Sequence, residues 1–261
     1  MPPFFSICIP ATGRSRTIER AIKSVIDQDF ENVELVITMR RDLLTYEVAN
    51  SFIKTNTPCF PVKVINIDKD RIYCNDWNDS IKLSSGNFIV VLEGDDYFFN
   101  GYLQTSYNLI LKYNYDICVF ATTNRDKKSK PFQLDKFDFF NLIYNLKSVP
   151  APSESIFPRI CNDHLVLYDI DNYNYAPEID LYLRLSNHIN NFVRLSEKFV
   201  YREASSDPYN RISKLYYVDH LVVLFKFYQF ENTTVFLRGL LSLIDLYFRS
   251  LIKYIIWRIR K

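Results

Sequence analysis

Ser85-Gly86-Asn87-Phe88-Ile89-Val90-Val91-Leu92-Glu93-Gly94-Asp95-Asp96-Tyr97-Phe98-Phe99-Asn100-Gly101-Tyr102-Leu103 is the stretch that decides how the chain reads. Phe88–Leu92 is continuously apolar and rich in branched residues, as expected of a strand buried on both faces. It stops at Glu93-Gly94-Asp95-Asp96. Three carboxylates within four residues at the end of a buried strand are costly unless something cationic binds them. In open α/β sheets, ligands bind at the carboxyl ends of strands. Hard cations such as Mg²⁺ or Mn²⁺ take oxygen ligands and bridge to substrate phosphates. The chain has only five glycines, and Gly86, Gly94 and Gly101 all fall here. Gly94 lets the backbone turn tightly or approach a ligand closely. The alternative is an acidic surface turn after a strand.

Working outward, the 261 residues are 48% hydrophobic and 16% aromatic, enough for a sizeable core. The length suits one large α/β domain, or one domain with an extension. A net charge of +2 gives no global field for nucleic acid, which is not expected as a partner. The five cysteines, Cys8, Cys59, Cys74, Cys118 and Cys161, are scattered, with no Cys-x-x-Cys pair. Neither a zinc site nor a disulfide framework is expected, and a reduced, cytoplasmic setting fits. No signal peptide is expected, and no apolar run reaches the length of a simple transmembrane helix.

Upstream, Phe4–Ile9 reads as a first buried strand ended by Pro10, followed by the loop Ala11-Thr12-Gly13-Arg14. Thr17 is placed to cap a helix running to about Gln28, with Ile18, Ala21, Ile22, Val25 and Ile26 on one stripe. Val33–Thr38 and Val62–Ile67 read as strands, and Leu43–Lys54 and Asn75–Ser84 as helices. Strands alternating with helices predict a parallel sheet with right-handed crossovers. Downstream, Gly101–Lys112 reads as a helix, Asp116–Ala121 as a strand and Thr122–Pro131 as a polar, basic loop. Phe132–Leu146 reads as helical. Ser155–Phe157, His164–Tyr168, Phe192–Leu195 and Lys198–Arg202 are short strand candidates. Pro177 opens a helix through about Asn187. From Ile212 to Tyr228 and from Phe230 to Lys261 the pattern is helical again.

In order, these segments resemble the inverting, nucleotide-sugar-dependent glycosyltransferases called family two, which have the GT-A fold. Phe5-Ser6-Ile7-Cys8-Ile9-Pro10 looks like that family's opening strand, and Thr17–Gln28 like its first helix. Asn78–Gly86 looks like the segment entering its acidic motif. Glu93-Gly94-Asp95-Asp96 resembles its Asp-x-Asp-Asp motif, which binds the donor diphosphate through a divalent metal. Pro177-Glu178-Ile179-Asp180-Leu181-Tyr182-Leu183-Arg184-Leu185 is similar to the later acidic helix, which supplies the catalytic base. The ordered set is far more specific than the acidic motif alone.

The resemblance implies an α/β, GT-A mostly parallel sheet flanked by helices over residues 1–205. The nucleotide-sugar half is about 1–121 and the acceptor half about 122–205, and a C-terminal helical extension spans 206–261. It implies a nucleotide-diphosphate sugar donor, a glycan or lipid-linked acceptor, and Mn²⁺ or Mg²⁺ on Asp95 and Asp96. Pro10, Thr12, Arg14, Arg40, Asp42, Arg71, Asn75, Asn78, Glu93, Gly94, Asp95 and Arg202 are the donor-binding candidates. Taken singly, Arg71, Asn75 and Asn78 also read as surface polar residues. Three departures stand out. Thr38-Met39-Arg40-Arg41-Asp42 replaces a paired acidic motif for base and ribose; Arg40 and Arg41 are candidates for phosphate instead, and Asp42 for the base. Glu93 stands where the family has Asp. Ala204 stands where many relatives have a histidine that touches metal or diphosphate.

Displacing a nucleoside diphosphate from a sugar needs positive charge for the departing group and a base for the attacking hydroxyl. Asp95 and Asp96 suit the first task, Glu178 or Asp180 the second. Two apart on a helix, Glu178 and Asp180 point in different directions. The resemblance favours Glu178, whose alternative role is complementing the helix dipole. Asp180 is also spaced to pair with Arg184.

Val235–Lys261 mixes large apolar residues with Arg238, Arg249, Lys253, Arg258, Arg260 and Lys261, against Asp245 as its only acid. That composition suits the anionic inner face of a cell membrane, or a helix packed on its own domain or a second subunit. Two classes of function follow: an enzyme adding a sugar to a surface glycan, or a catalytically silent GT-A-like binding or assembly protein.

Overall fold

The computed structural model describes residues 2–70, 75–124, 131–144, 149–173 and 177–203, and, towards the C-terminus, 219, 221–223, 225–227, 237–245 and 247–248. The chain divides into two compact units that interleave in sequence. The first comprises Met1–Asp135, Pro150–Leu167 and His188–Glu203; the second comprises Lys136–Val149, Tyr168–Asn187 and Ala204–Lys261. The acidic loop lies in the first unit, and Glu178 and Asp180 lie in the second.

The first unit opens as the alternation predicts: β1 (Phe5–Pro10), α1 (Ile18–Ile26), β2 (Val33–Arg40), α2 (Leu43–Asn56), β3 (Val62–Ile67), α3 (Asn75–Leu83) and β4 (Phe88–Val91). Then come β5 (Tyr97–Phe98), α4 (Tyr102–Lys112), β6 (Ile117–Thr123) and β7 (Phe132–Asp135). A 3₁₀ turn at Pro152–Glu154 leads into β8 (Ser155–Pro158), and β9 (Ile160–Cys161) pairs with β10 (His164–Leu165) as a small ribbon. β11 (Asn191–Tyr201) closes the unit.

The main sheet runs β3-β2-β1-β4-β8-β6-β11-β5, with β7 also on β11. Every residue of β1, β2 and β4 is buried; β4 is wholly apolar, while β1 and β2 also bury Ser6, Glu34, Thr38 and Arg40. β1 pairs in parallel with both β2 and β4. α1 buries Ile18, Ala21, Ile22 and Val25, the stripe read from its periodicity. Near its amino-terminal edge the sheet is tied by a buried carboxylate. Glu34 accepts hydrogen bonds from Ser6 Oγ (2.7 Å), Ser85 Oγ, the Ser85 and Gly86 amides, and Lys63 Nζ (3.0 Å).

Three features differ from the sequence reading. Parallel pairing runs from β3 to β4 and joins β6 to β11, but β8 lies antiparallel between β4 and β6, and β5 and β7 lie antiparallel on β11. A short buried apolar segment carries no signal for direction. β7 takes up the start of the stretch read as one helix, with residues alternating between half-buried and exposed. The two short strands expected near the end are one strand, β11, whose register against β6 shifts between Arg194 and Lys198 and again before Val200. A bulge interrupts the period-two pattern without ending the strand.

The second unit contains α5 (Lys136–Tyr144) and α6 (Pro177–Leu185), with Phe139 edge-on to Tyr182. α6 buries Ile179, Leu181, Leu183 and Leu185. No helix among the described residues is long and apolar enough to cross a membrane.

Candidate active site

The acidic loop is stitched to the end of β1. The Gly94 amide donates to the Pro10 carbonyl (3.3 Å), and the Gly94 carbonyl accepts from Thr17 Oγ1 (2.7 Å). Thr17 therefore spends its hydroxyl on the loop and makes no side-chain cap on α1. A Cβ at position 94 would meet Arg14 Cγ at 3.0 Å and Arg14 Cβ at 3.1 Å. Glycine thus lets Arg14 lie across the loop, where its Nη2 reaches Asp95 Oδ2 at 3.2 Å.

Asp96 is 3% exposed. Its Oδ1 accepts from the Glu203 amide (2.9 Å). Its Oδ2 is buried and has no hydrogen-bond partner among the described residues; Arg202 Nε stands 3.9 Å away, beyond hydrogen-bond reach. Arg202 also bonds Glu154 Oε1 (3.2 Å), whose other oxygen takes Arg194 Nη2 (3.3 Å). The Glu93 amide donates to Ser153 Oγ (3.0 Å). Burial, and then the charge of Asp96, push the Glu93 carboxyl up to about 8. Burial also raises the Asp96 carboxyl, against the opposing pull of its polar neighbours. Burial and the crowding of carboxylates thus disfavour the charged forms of Glu93 and Asp96 in this loop.

A buried carboxylate oxygen without a donor, beside a second carboxylate, fits a hard divalent cation. No group of three acids, histidines or cysteines converges for a metal among the described residues. One or two carboxylates completed by substrate phosphates are the usual way Mg²⁺-like ions are held.

The other donor candidates occupy the neighbouring strand ends. Pro10 is the last residue of β1. Thr12 Oγ1 accepts from the Arg40 amide (3.0 Å). Asp42 accepts from the Gly13 amide (2.6 Å) and caps α2 through the Thr45 amide (3.1 Å). Arg40 is held by Asp79 through Nε (2.8 Å) and Nη2 (2.5 Å), and Arg41 by Asp68 and Asp70. The two arginines read as phosphate candidates are thus committed to carboxylates. Asn75 begins α3, where Asn78 is buried. Arg71 and Ala204 lie outside the described residues.

In the second unit, Glu178 sits half-buried in the first turn of α6. Asp180 is fully buried and bonded to Arg184 Nε (2.7 Å) and Lys226 Nζ (2.6 Å). Lys226 also reaches Asp169 (3.4 Å) and stands over the Tyr173 ring. Burial works against the Lys226 charge, but the Asp180 hydrogen bond and charge outweigh it and raise its pKa.

Sequence reading missed Arg20, Ser153, Glu154, Arg194, Glu203 and Lys226. Their partners lie between 40 and 183 residues away, so no local pattern marks them.

YwdF of Bacillus subtilis (strain 168), described as an uncharacterized glycosyltransferase, is 25% identical over 137 residues, covering 51% of this chain and 51% of that protein. This chain's match thus spans about half the length of that relative. The structure of S. aureus TarS 1-349 in complex with UDP superposes with a TM-score of 0.65 at 16% identity, covering 84% of this chain and 65% of that one. The mannosyltransferase PcManGT of Pyrobaculum calidifontis, in complex with GDP-Man and Mn²⁺, gives 0.66 at 12% identity, covering 94% and 75%. At such identities the likeness concerns the fold, which is that of the GT-A glycosyltransferases. The sequence profile of Glycosyl transferase family 2 matches residues 6–171, the span that carries most of β1, the acidic loop and Arg14, and the chain belongs to that family.

Proposed function

We propose that the protein is an inverting glycosyltransferase that moves a sugar from a nucleotide-diphosphate donor to a hydroxyl of a glycan or lipid-linked acceptor, in surface polysaccharide synthesis. The observation that carries this is the Asp96 Oδ2 atom, buried without a hydrogen-bond partner among the described residues beside Asp95. Asp95 and Asp96 hold a divalent cation, Mn²⁺ or Mg²⁺. When bound, that ion supplies charge that stabilises the departing diphosphate. Arg14 and Arg202 add positive charge around the same carboxylates. The nucleoside side falls to the Thr12–Arg40–Asp42 corner, with Asn75 and Asn78 on α3.

The acceptor oxygen bonds the anomeric carbon as the bond from that carbon to the diphosphate breaks, and the hydroxyl proton passes to Glu178. Glu178 is favoured over Asp180 because both Asp180 oxygens are already occupied by Arg184 and Lys226, which leaves neither placed to take a proton from an acceptor. Asp180 positions the helix instead.

The C-terminal segment belongs to the same reading. Leu237, Leu241, Ile244 and Phe248 are exposed at helical spacing, next to a strongly basic sequence. That pairing suits an anionic membrane face, where lipid-linked acceptors are carried. Truncation after Asn232 should abolish flotation with anionic liposomes; a change only in mass by light scattering would make the segment a dimer contact.

A panel of UDP, GDP, CMP and dTDP sugars with and without Mn²⁺, read first by thermal shift and then by transfer, tests the function. No donor stabilising the protein under either condition would remove the reading.

A further inference from the structure

We propose that Arg20, on α1, is a positioning residue for the donor site, fastening the acidic loop to the end of β11. This rests on the donor site proposed above. Antiparallel pairing of β5 with β11 sets Tyr97 opposite Tyr201, and their rings stack at 4.6 Å with an interplanar angle of 14°. The Arg20 guanidinium lies over both, 4.9 Å from the Tyr97 centroid and 5.7 Å from that of Tyr201. From there one nitrogen, Nη2, donates to the Asp95 carbonyl (2.7 Å) and to Glu203 Oε2 (2.9 Å). Glu203 in turn gives its amide to Asp96 Oδ1. One side chain therefore touches the backbone of the first aspartate and, through Glu203, fixes an oxygen of the second.

The geometry needs arginine. A planar guanidinium can stack on a ring while its edge donates to two acceptors, whereas a lysine ammonium is a strongly hydrated point charge. Arg20 is about 42% exposed on its side chain, so its salt bridge with Glu203 adds little stability by itself. Its contribution is orientation. Residues that orient metal ligands from behind change metal affinity or activity by roughly 10- to 100-fold when removed.

The test compares wild type, Arg20→Met, Arg20→Lys, Glu203→Gln and Asp96→Asn. Titration calorimetry of Mn²⁺ is run in the presence of whichever of UDP or GDP the wild type binds. Hydrogen exchange is followed in peptides covering 95–98 and 200–203. Arg20→Met should weaken Mn²⁺ roughly 10- to 100-fold and speed exchange in both peptides. Arg20→Lys should fall between wild type and Arg20→Met, and Glu203→Gln should shift the same way without adding to Arg20→Met in the double variant. Wild-type Mn²⁺ affinity in Arg20→Met, together with its loss in Asp96→Asn, would overturn the role of Arg20 and leave the donor site standing. Wild type that binds no nucleotide with Mn²⁺ would overturn both.

Discussion

Replacing Asp96 by asparagine separates the function of the acidic loop from its structure. Oδ1 must keep accepting the Glu203 amide at 2.9 Å, so the new amide nitrogen falls at the Oδ2 position. There it faces Arg202 Nε 3.9 Å away and offers hydrogens where a metal needs an oxygen. A buried amide also costs less than a buried carboxylate, and the charge shared with Glu93 and Asp95 is relieved. The unliganded variant should therefore melt at or slightly above the wild-type temperature. The liganded proteins should differ sharply. A ligand at about 100 times its Kd stabilises the fold by about 2.7 kcal/mol. At roughly 2–4 °C per kcal/mol for a chain of this size, wild type should gain about 5–10 °C with Mn²⁺ and its nucleotide. Asp96→Asn should gain about none. The assay is differential scanning fluorimetry across metal and nucleotide, checked by calorimetry. An undiminished metal-dependent shift in the variant would refute the reasoning, because the orphaned oxygen would then have no part in binding.

Glu178→Gln should cut transfer by roughly 10²–10⁴-fold with donor affinity unchanged, whereas Asp180→Asn should chiefly lower the melting temperature; the reverse ranking in single-turnover transfer would exchange their roles. Glu34→Gln leaves a buried donor unmatched and should cost about 2–3 kcal/mol in urea unfolding at neutral pH. Burial opposes the Glu34 charge, but hydrogen bonds from Ser6, the Ser85 amide and Lys63 outweigh it and hold the carboxyl below its usual 4.5. That contribution is therefore complete above about 4.5 and is lost as pH falls through the lower folded value, so wild type and variant should converge in acid; a gap that persists there would contradict it. Gly86→Ala sets a Cβ 2.8 Å from the Ser6 nitrogen and 2.9 Å from the Phe5 carbonyl carbon. The backbone of β1 must shift, at a cost of about 1–3 kcal/mol, measurable as a lower urea midpoint.

Much of this was legible in the sequence because it is local. Phe88–Val91 ends in Glu93-Gly94-Asp95-Asp96, and a buried strand followed by acids announces itself without tertiary information. The stripe Ile18, Ala21, Ile22, Val25 announces α1 in the same way. Such signals follow backbone periodicity and the cost of burying charge, both of which act between near neighbours in the chain. Tertiary structure alone decided the rest. The antiparallel course of β8 depends on which strands flank it, and a short apolar run is the same in either direction. That Arg40 belongs to Asp79, that Asp180 belongs to Lys226 as well as Arg184, and that Arg20 reaches Glu203 could not be read from spacing. A charged side chain chooses its partner by distance in space and by desolvation, and folding sets both only when distant segments meet.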